Sequence, residues 1–167
     1  MSLSLLPAIL ADSVTQLTPE YLQSKNIRLL MLDFDNTIVP YTTNTPTPEM
    51  AAWLEKMRES DIIICVVSNS RRDRVKIFCE KLGISCITHA KKPFPKGIRQ
   101  CLGKSEVAAQ HAALAGDQIY TDTLGANGCG VCSILVKAIH NHNFWLKLRH
   151  VAELPFIFMA RKRRIKL

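Results

Sequence analysis

Apolar and polar positions along the chain fall into short blocks of two alternating kinds. Largely apolar runs at residues 27–34, 61–67, 84–88, 111–115 and 132–136 have strand length. Runs that stay apolar, rather than alternating, belong to strands covered on both faces, as in a parallel sheet. Between them lie stretches with helix signals. Thr47-Pro48-Glu49 supplies an N-cap and a first-turn proline for a helix to about residue 59. Ser70 with Asp73 fits a capping box for a helix that runs to Leu82 and stops at Gly83. Residues 95–102 predict another helix, and the chain after 117–122 a further one to about Asn127, broken by Gly128 and Gly130. The alternation predicts an α/β domain of three layers, doubly wound around a mainly parallel sheet.

The two ends depart from this rhythm. In residues 3–25, the apolar positions Leu5, Leu6, Ile9, Leu10, Val14, Leu17, Tyr21 and Leu22 have a helix-compatible spacing interrupted by Pro7 and Pro19. One or two short helices packed on the core are expected there. Beyond Ala138, Phe144, Trp145, Leu148, Val151 and Leu154 are spaced as one helix face, with Lys147, Arg149 and His150 as basic neighbours. The chain therefore divides into a single domain over 1–140, including the N-terminal helical segment, and an amphipathic, basic segment over 141–167. That segment has two readings, one lying in a membrane interface and one docking its apolar face on the domain.

A length of 167 residues fits one domain with a proper core, and the 47% hydrophobic content leaves no segment disordered by composition. The longest uncharged apolar runs are far short of a membrane span. Residues 1–10 are apolar but have no basic n-region, so they do not read as a secretory signal. The formal charge is +8, and five of the last seven residues are Lys or Arg, a field that attracts phosphate on nucleic acid or on anionic lipid. Six cysteines are present. Cys65 lies inside an apolar run and Cys79 in a charged helical stretch, which suits reduced cytosolic thiols. The pair Cys129 and Cys132 has redox or half-zinc spacing, but no second pair exists and it leads straight into a strand.

The chemistry begins where the first strand ends. In Asp33-Phe34-Asp35-Asn36-Thr37, positions two apart share a face of an extended chain, so two carboxylates and a hydroxyl converge. Acids so close repel unless a cation lies between them, which points to Mg²⁺ beside a substrate phosphate. In sheets of this type the ligand site lies beyond the carboxyl ends of the strands. Ser68-Asn69 and Asp117 stand at two further strand ends, and Lys92 supplies a cation in a loop before the next helix.

These segments resemble, in order and spacing, the four motifs of the haloacid dehalogenase (HAD) superfamily of phosphohydrolases: 33–37, Ser68-Asn69, Lys92-Pro93 and 116–122. The strings 90–93, 116–122 and 124–127 further resemble its subfamily IIIA branch of YqeG-type proteins and mitochondrial and plastid phosphatidylglycerophosphatases. The resemblance implies a Rossmann-like HAD fold and a Mg²⁺-dependent phosphate monoesterase working through an aspartyl-phosphate. It makes Asp33 the nucleophile and Asp35 the acid/base. It places Thr37, Ser68, Asn69 and Lys92 at the substrate phosphate. The metal falls to Asp33, the main-chain carbonyl of Asp35, and Asp117, supported by Asp122. The flanking Arg71, Arg72 and Arg74 read either as contacts to an anionic substrate or as helix-surface charge.

Only 30 residues separate Thr37 from Ser68, and 22 separate Asn69 from Lys92, which leaves no room for a cap domain. An open site suits a phosphate on something large. The leading expectation is dephosphorylation of phosphatidylglycerophosphate, by a cytoplasmic protein held peripherally on the inner face of a membrane, or on the matrix face of an organelle. The anionic phospholipid would meet a membrane-bound C-terminal segment. A nucleic-acid or nucleotide phosphatase is the alternative, and an adaptor that binds membrane or protein through the same fold is a third.

Overall fold

Strand β2, Leu29–Leu32, is buried along its whole length, and the two side-chain sets of its pleat feed two separate cores. Leu30 and Leu32 face Met50, Trp53 and Leu54 of α2 (Pro48–Arg58) and Val75 and Phe78 of α3 (Arg74–Leu82). Leu29 and Met31 face Ile98 and Cys101 of α4 (Pro95–Ser105) and Ala126 of α5 (Leu124–Gly128). A strand that must satisfy apolar layers on both sides has no place for alternation, which explains its uninterrupted hydrophobicity. The computed structural model describes residues 4–71, 73–139 and 158–159, and the expected amphipathic, basic segment 141–167 lies outside them apart from Phe158 and Met159.

The sheet has six strands in the order β1-β6-β5-β2-β3-β4, all paired in parallel. The others are β1 (Ile9–Ala11), β3 (Ile63–Val67), β4 (Ser85–Ile87), β5 (Ala112–Gly116) and β6 (Cys132–Val136). From β2 the chain steps outward through β3 and β4, then returns to place β5 on the opposite side of β2. The reversal falls between β2 and β5, which are paired in register from Leu29 with Ala112 to Leu32 with Ala115. Crevices at such a reversal are where ligands bind in open α/β sheets. The expected three-layer, doubly wound architecture is what forms, and among the described residues no cap is inserted. Only α2 and β3 occupy the interval from the β2 loop to Ser68, and only α3 and β4 that from Asn69 to Lys92. No helix among the described residues is long and apolar enough to cross a membrane.

Local chemistry sets most boundaries. Thr47 caps α2 by accepting from the Met50 amide at 3.2 Å, and Gly83 ends α3 in the left-handed region. Two expectations need correction. The N-terminal segment is not wholly helical, because residues 9–11 form the edge strand β1 against β6. A three-residue strand is too short for its pattern to be told from a helix turn, and its partner lies 125 positions away in register, Ile9 opposite Ile134. The helical part is α1, Pro19–Ser24, capped by Thr18. Ser70 does not cap α3 either. The helix starts at Arg74, and the Ser70 amide donates to Ser68 Oγ at 3.0 Å, tying Ser70 into the strand-end loop.

Packing of α4 is set by a close approach. A Cβ at Gly97 would lie 2.5 Å from Ala90 Cβ and 2.6 Å from its backbone. Both partners are buried, so neither has room to yield. Gly97→Ala is expected to destabilise the fold by about 1–3 kcal/mol, the usual cost of overpacking. Urea unfolding reads this as a lower midpoint at unchanged slope, and an unchanged midpoint would show that α4 can shift.

Candidate active site

Asp33 follows β2 directly, and its amide continues the pairing with β5 by donating to Ala115 O at 2.9 Å. The chain then turns sharply. Asn36 takes a left-handed φ of 61°, its amide donates to Val39 O at 2.7 Å, and its Oδ1 receives the Tyr41 amide at 3.1 Å. Asparagine tolerates this conformation better than most residues, so the turn that presents Asp35 is encoded locally. Thr37 is buried in the same turn, and its Oγ1 has no hydrogen-bond partner among the described residues. A buried hydroxyl without a partner is ready to meet a ligand oxygen.

Lys92 arrives from the far side. Its Nζ lies 2.6 Å from Asp33 Oδ1 and 2.7 Å from Asp122 Oδ1, and the residue is only 4% exposed. Burial opposes the charge, but the Asp122 and Asp33 carboxylates outweigh it and hold the ammonium above the usual lysine range. Asn69 fixes the loop. Its Nδ2 donates to Lys92 O at 2.9 Å, and the Lys92 amide donates to its Oδ1 at 2.7 Å. Expected at the substrate phosphate, the Asn69 carboxamide is thus engaged with the main chain that carries the lysine. Ser68 is 1% exposed, and because its Oγ accepts from the Ser70 amide, its own proton remains to be donated.

The third side of the site follows β5. Asp117 is succeeded by a single π-turn, Ile119–Thr123, in which the Asp122 and Thr123 amides both donate to Gln118 O. Such a turn re-aims side chains at functional sites, and here it brings Asp122 back over Gly116. Any Cβ at Gly116 would collide with the Asp122 carboxyl group. Asp122 Oδ2 in turn accepts from the Gln118 amide at 3.1 Å. One carboxylate oxygen each from Asp33, Asp117 and Asp122 lies within 4.8 Å of the others. Asp122, given a supporting position from sequence, sits inside this cluster. Burial, opposed by Lys92 and reinforced by the Asp122 and Asp35 charges, pushes the Asp33 carboxyl up to about 6. Three buried carboxylates against one ammonium leave an excess of negative charge, and an all-oxygen donor set of this kind fits a hard divalent cation.

Asp35 lies apart from that cluster. Arg74 Nη2 donates to its Oδ1 at 2.7 Å, and Nη1 donates to Tyr41 O at 2.8 Å. The guanidinium is also 5.0 Å from the Phe34 ring centre and 5.8 Å from that of Tyr41. From sequence Arg74 reads either as a substrate contact or as helix-surface charge, and in the structure it is instead a partner of Asp35. A signal was available: a cation in the first turn of a helix opposes the helix dipole, so something anionic has to hold it there. Of its neighbours, Arg71 is exposed and Arg72 lies outside the described residues.

Solved structures share the architecture. A cobalt-bound deoxy-D-mannose-octulosonate 8-phosphate phosphatase from Haemophilus influenzae superposes with a TM-score of 0.55 at 16% identity, over 83% of this chain and 91% of its own. A HAD family hydrolase from Streptomyces avermitilis gives 0.56 at 16% identity, over 75% and 72%. The fold is the one these HAD hydrolases share. A family profile described as mitochondrial PGP phosphatase matches residues 2–139, and the chain belongs to that family. The probable phosphatase YqeG of Bacillus subtilis is 37% identical over 134 residues, covering 80% of this chain and 78% of that protein. All six cysteines are free.

Two substitutions test this architecture. Arg74→Ala should lower kcat for a soluble phosphomonoester by about 10–100-fold while leaving KM close to wild type, because the loss is one of Asp35 placement. Equal kcat would remove Arg74 from the site. Lys92→Ala should cost about 3–5 kcal/mol of stability in denaturant unfolding, since it strips the ammonium from buried carboxylates. A loss under 1 kcal/mol would show that those acids are neutral when the lysine is absent.

Proposed function

We propose that this phosphatase removes the terminal phosphate of phosphatidylglycerophosphate, using Asp33 as nucleophile and Mg²⁺ as cofactor. The observation that carries the substrate class is the open site. Among the described residues only α2 and β3 lie between the β2 loop and Ser68, and only α3 and β4 between Asn69 and Lys92, so neither interval adds an element to close over a small substrate. The family match supports the lipid identity.

An Asp33 carboxylate oxygen attacks phosphorus, the bond from phosphorus to the glycerol oxygen breaks, and an aspartyl-phosphate forms. Asp35 gives a proton to the departing alkoxide, which leaves as the free hydroxyl of phosphatidylglycerol. Water then attacks the phosphoryl group while Asp35 takes its proton, the bond to Asp33 breaks, and inorganic phosphate is released. The Arg74 guanidinium, donating to Asp35 Oδ1, orients this carboxyl group for the proton exchange. Lys92 orients Asp33 and offers its remaining proton to a phosphoryl oxygen, and the Ser68 and Thr37 hydroxyls donate to the others. Mg²⁺, held by Asp33, Asp117 and the Asp35 main-chain carbonyl, would neutralise charge on the phosphoryl oxygens.

In mixed micelles of phosphatidylglycerophosphate with Mg²⁺, wild-type protein should release phosphate and Asp33→Asn should not, with a loss of at least about 10³-fold. Hydrolysis of phosphorylated oligonucleotides with the lipid left intact would replace this reading by a nucleic-acid one. Mg²⁺ at about 100 times its Kd should stabilise the wild-type protein by about 2.7 kcal/mol, and Asp117→Asn should lose most of that gain. An equal gain in the variant would move the ion away from Asp117.

A further inference from the structure

We infer that the turn after Lys92 is a membrane-docking element that seats the mouth of the active site on an anionic lipid surface. Phe94 is 69% exposed, more than any other large hydrophobic side chain among the described residues. It lies two residues from the buried Lys92, in a turn closed by its own amide, which donates to Lys91 O at 2.9 Å. Flanked by Pro93 and Pro95, its backbone has little freedom, and its extended conformation (φ −63°, ψ 144°) sends the ring outward from a loop pinned by Asn69. A single exposed apolar residue is ordinary. What distinguishes Phe94 is its position at the catalytic lysine and its electrostatic setting.

Residues 81–105 contain no Asp or Glu, yet they carry Lys91, Lys96, Arg99 and Lys104 in exposed positions. Lys91 and Lys96 bracket Phe94, and Arg99 follows one helical turn below. A hydrocarbon ring between two long-stemmed cations matches an anionic interface, where the ring enters the acyl boundary and the ammonium groups stay at headgroup level. Nucleic acid fits less well, because one ring offers no run of stacking platforms. The inference rests on the lipid-phosphate reading. A phosphoester can reach Asp33 while its acyl chains stay in the bilayer only if the rim beside Lys92 faces that bilayer.

The test uses the full chain carrying Phe94→Trp with Trp145→Phe, so that the buried Trp53 is the remaining indole. With vesicles of phosphatidylglycerol containing brominated acyl chains, emission from position 94 should shift to the blue and be quenched, and much less so with phosphatidylcholine. In the otherwise native chain, Phe94→Ala should lower partitioning into phosphatidylglycerol vesicles about ten-fold. Lys91→Gln and Lys96→Gln should each lower it about five-fold at low salt. Phe94→Ala should hydrolyse a soluble phosphomonoester at the wild-type rate, which shows that the site is intact. Unquenched emission at position 94, or unchanged partitioning of Phe94→Ala, would overturn the proposal. So would a response to single-stranded oligonucleotide in place of vesicles. Docking at position 94 without hydrolysis of any phospholipid would leave the docking surface standing and remove the lipid-phosphatase reading alone.

Discussion

An ammonium group almost wholly removed from water keeps its charge only if anionic partners replace the solvent, and for Lys92 those partners are Asp33 and Asp122. The requirement organises the site, because the two acids come from different strand ends and the lysine from a third loop. Asp33 is fixed by continued pairing of β2 with β5. Asp122 reaches back only because the π-turn reverses its direction over a residue with no side chain, Gly116. Lys92 is delivered by Asn69, which grips its main chain, and by a loop packed closely against Gly97 and Gly125. Buried ion pairs of this kind contribute little net stability against an apolar replacement. Their use here is positional, since they hold the Asp33 oxygens in one orientation.

The same constraint explains what could be read from the chain and what could not. Uninterrupted apolar strands, the Thr47 cap and the polar residues at three strand ends follow from local rules, and each lies where the pattern placed it. Asp33, Ser68, Lys92 and Asp117 are legible because each sits at a fixed offset from a strand that is itself legible. Strand β1 was not, since its only reason to be extended is β6, far along the chain. Nor was the use of Asn69, whose carboxamide matches phosphate and peptide equally well. Only the approach of the Lys92 loop decides between them.

Arg74 shows the limit in another form. On a helical wheel it is one more surface cation, but in space it lies between two aromatic rings with one end of its guanidinium on Asp35. Placing it at the first position of α3 works against the helix dipole, and the Asp35 carboxylate offsets that cost. The pairing keeps Asp35 out of the carboxylate cluster. Two aspartates only two residues apart thereby acquire different surroundings: Asp33 faces an ammonium and two acids, and Asp35 faces a guanidinium. Such a division is what the proposed roles of nucleophile and proton-transfer group require of one short segment.

Charge balance then connects the site to its surroundings. The carboxylates of Asp33, Asp117 and Asp122 exceed the one ammonium by two negative charges, and a phosphate monoester dianion adds two more. Arg74 cannot make up the difference without releasing Asp35. Hydroxyls at Ser68 and Thr37 donate hydrogen bonds but carry no charge. In the proposed mechanism a divalent cation held by these acids would offset that charge as an anionic ester approaches. In the proposed function the exposed Lys91 and Lys96 would act at longer range, raising the local concentration of anionic substrate near Lys92.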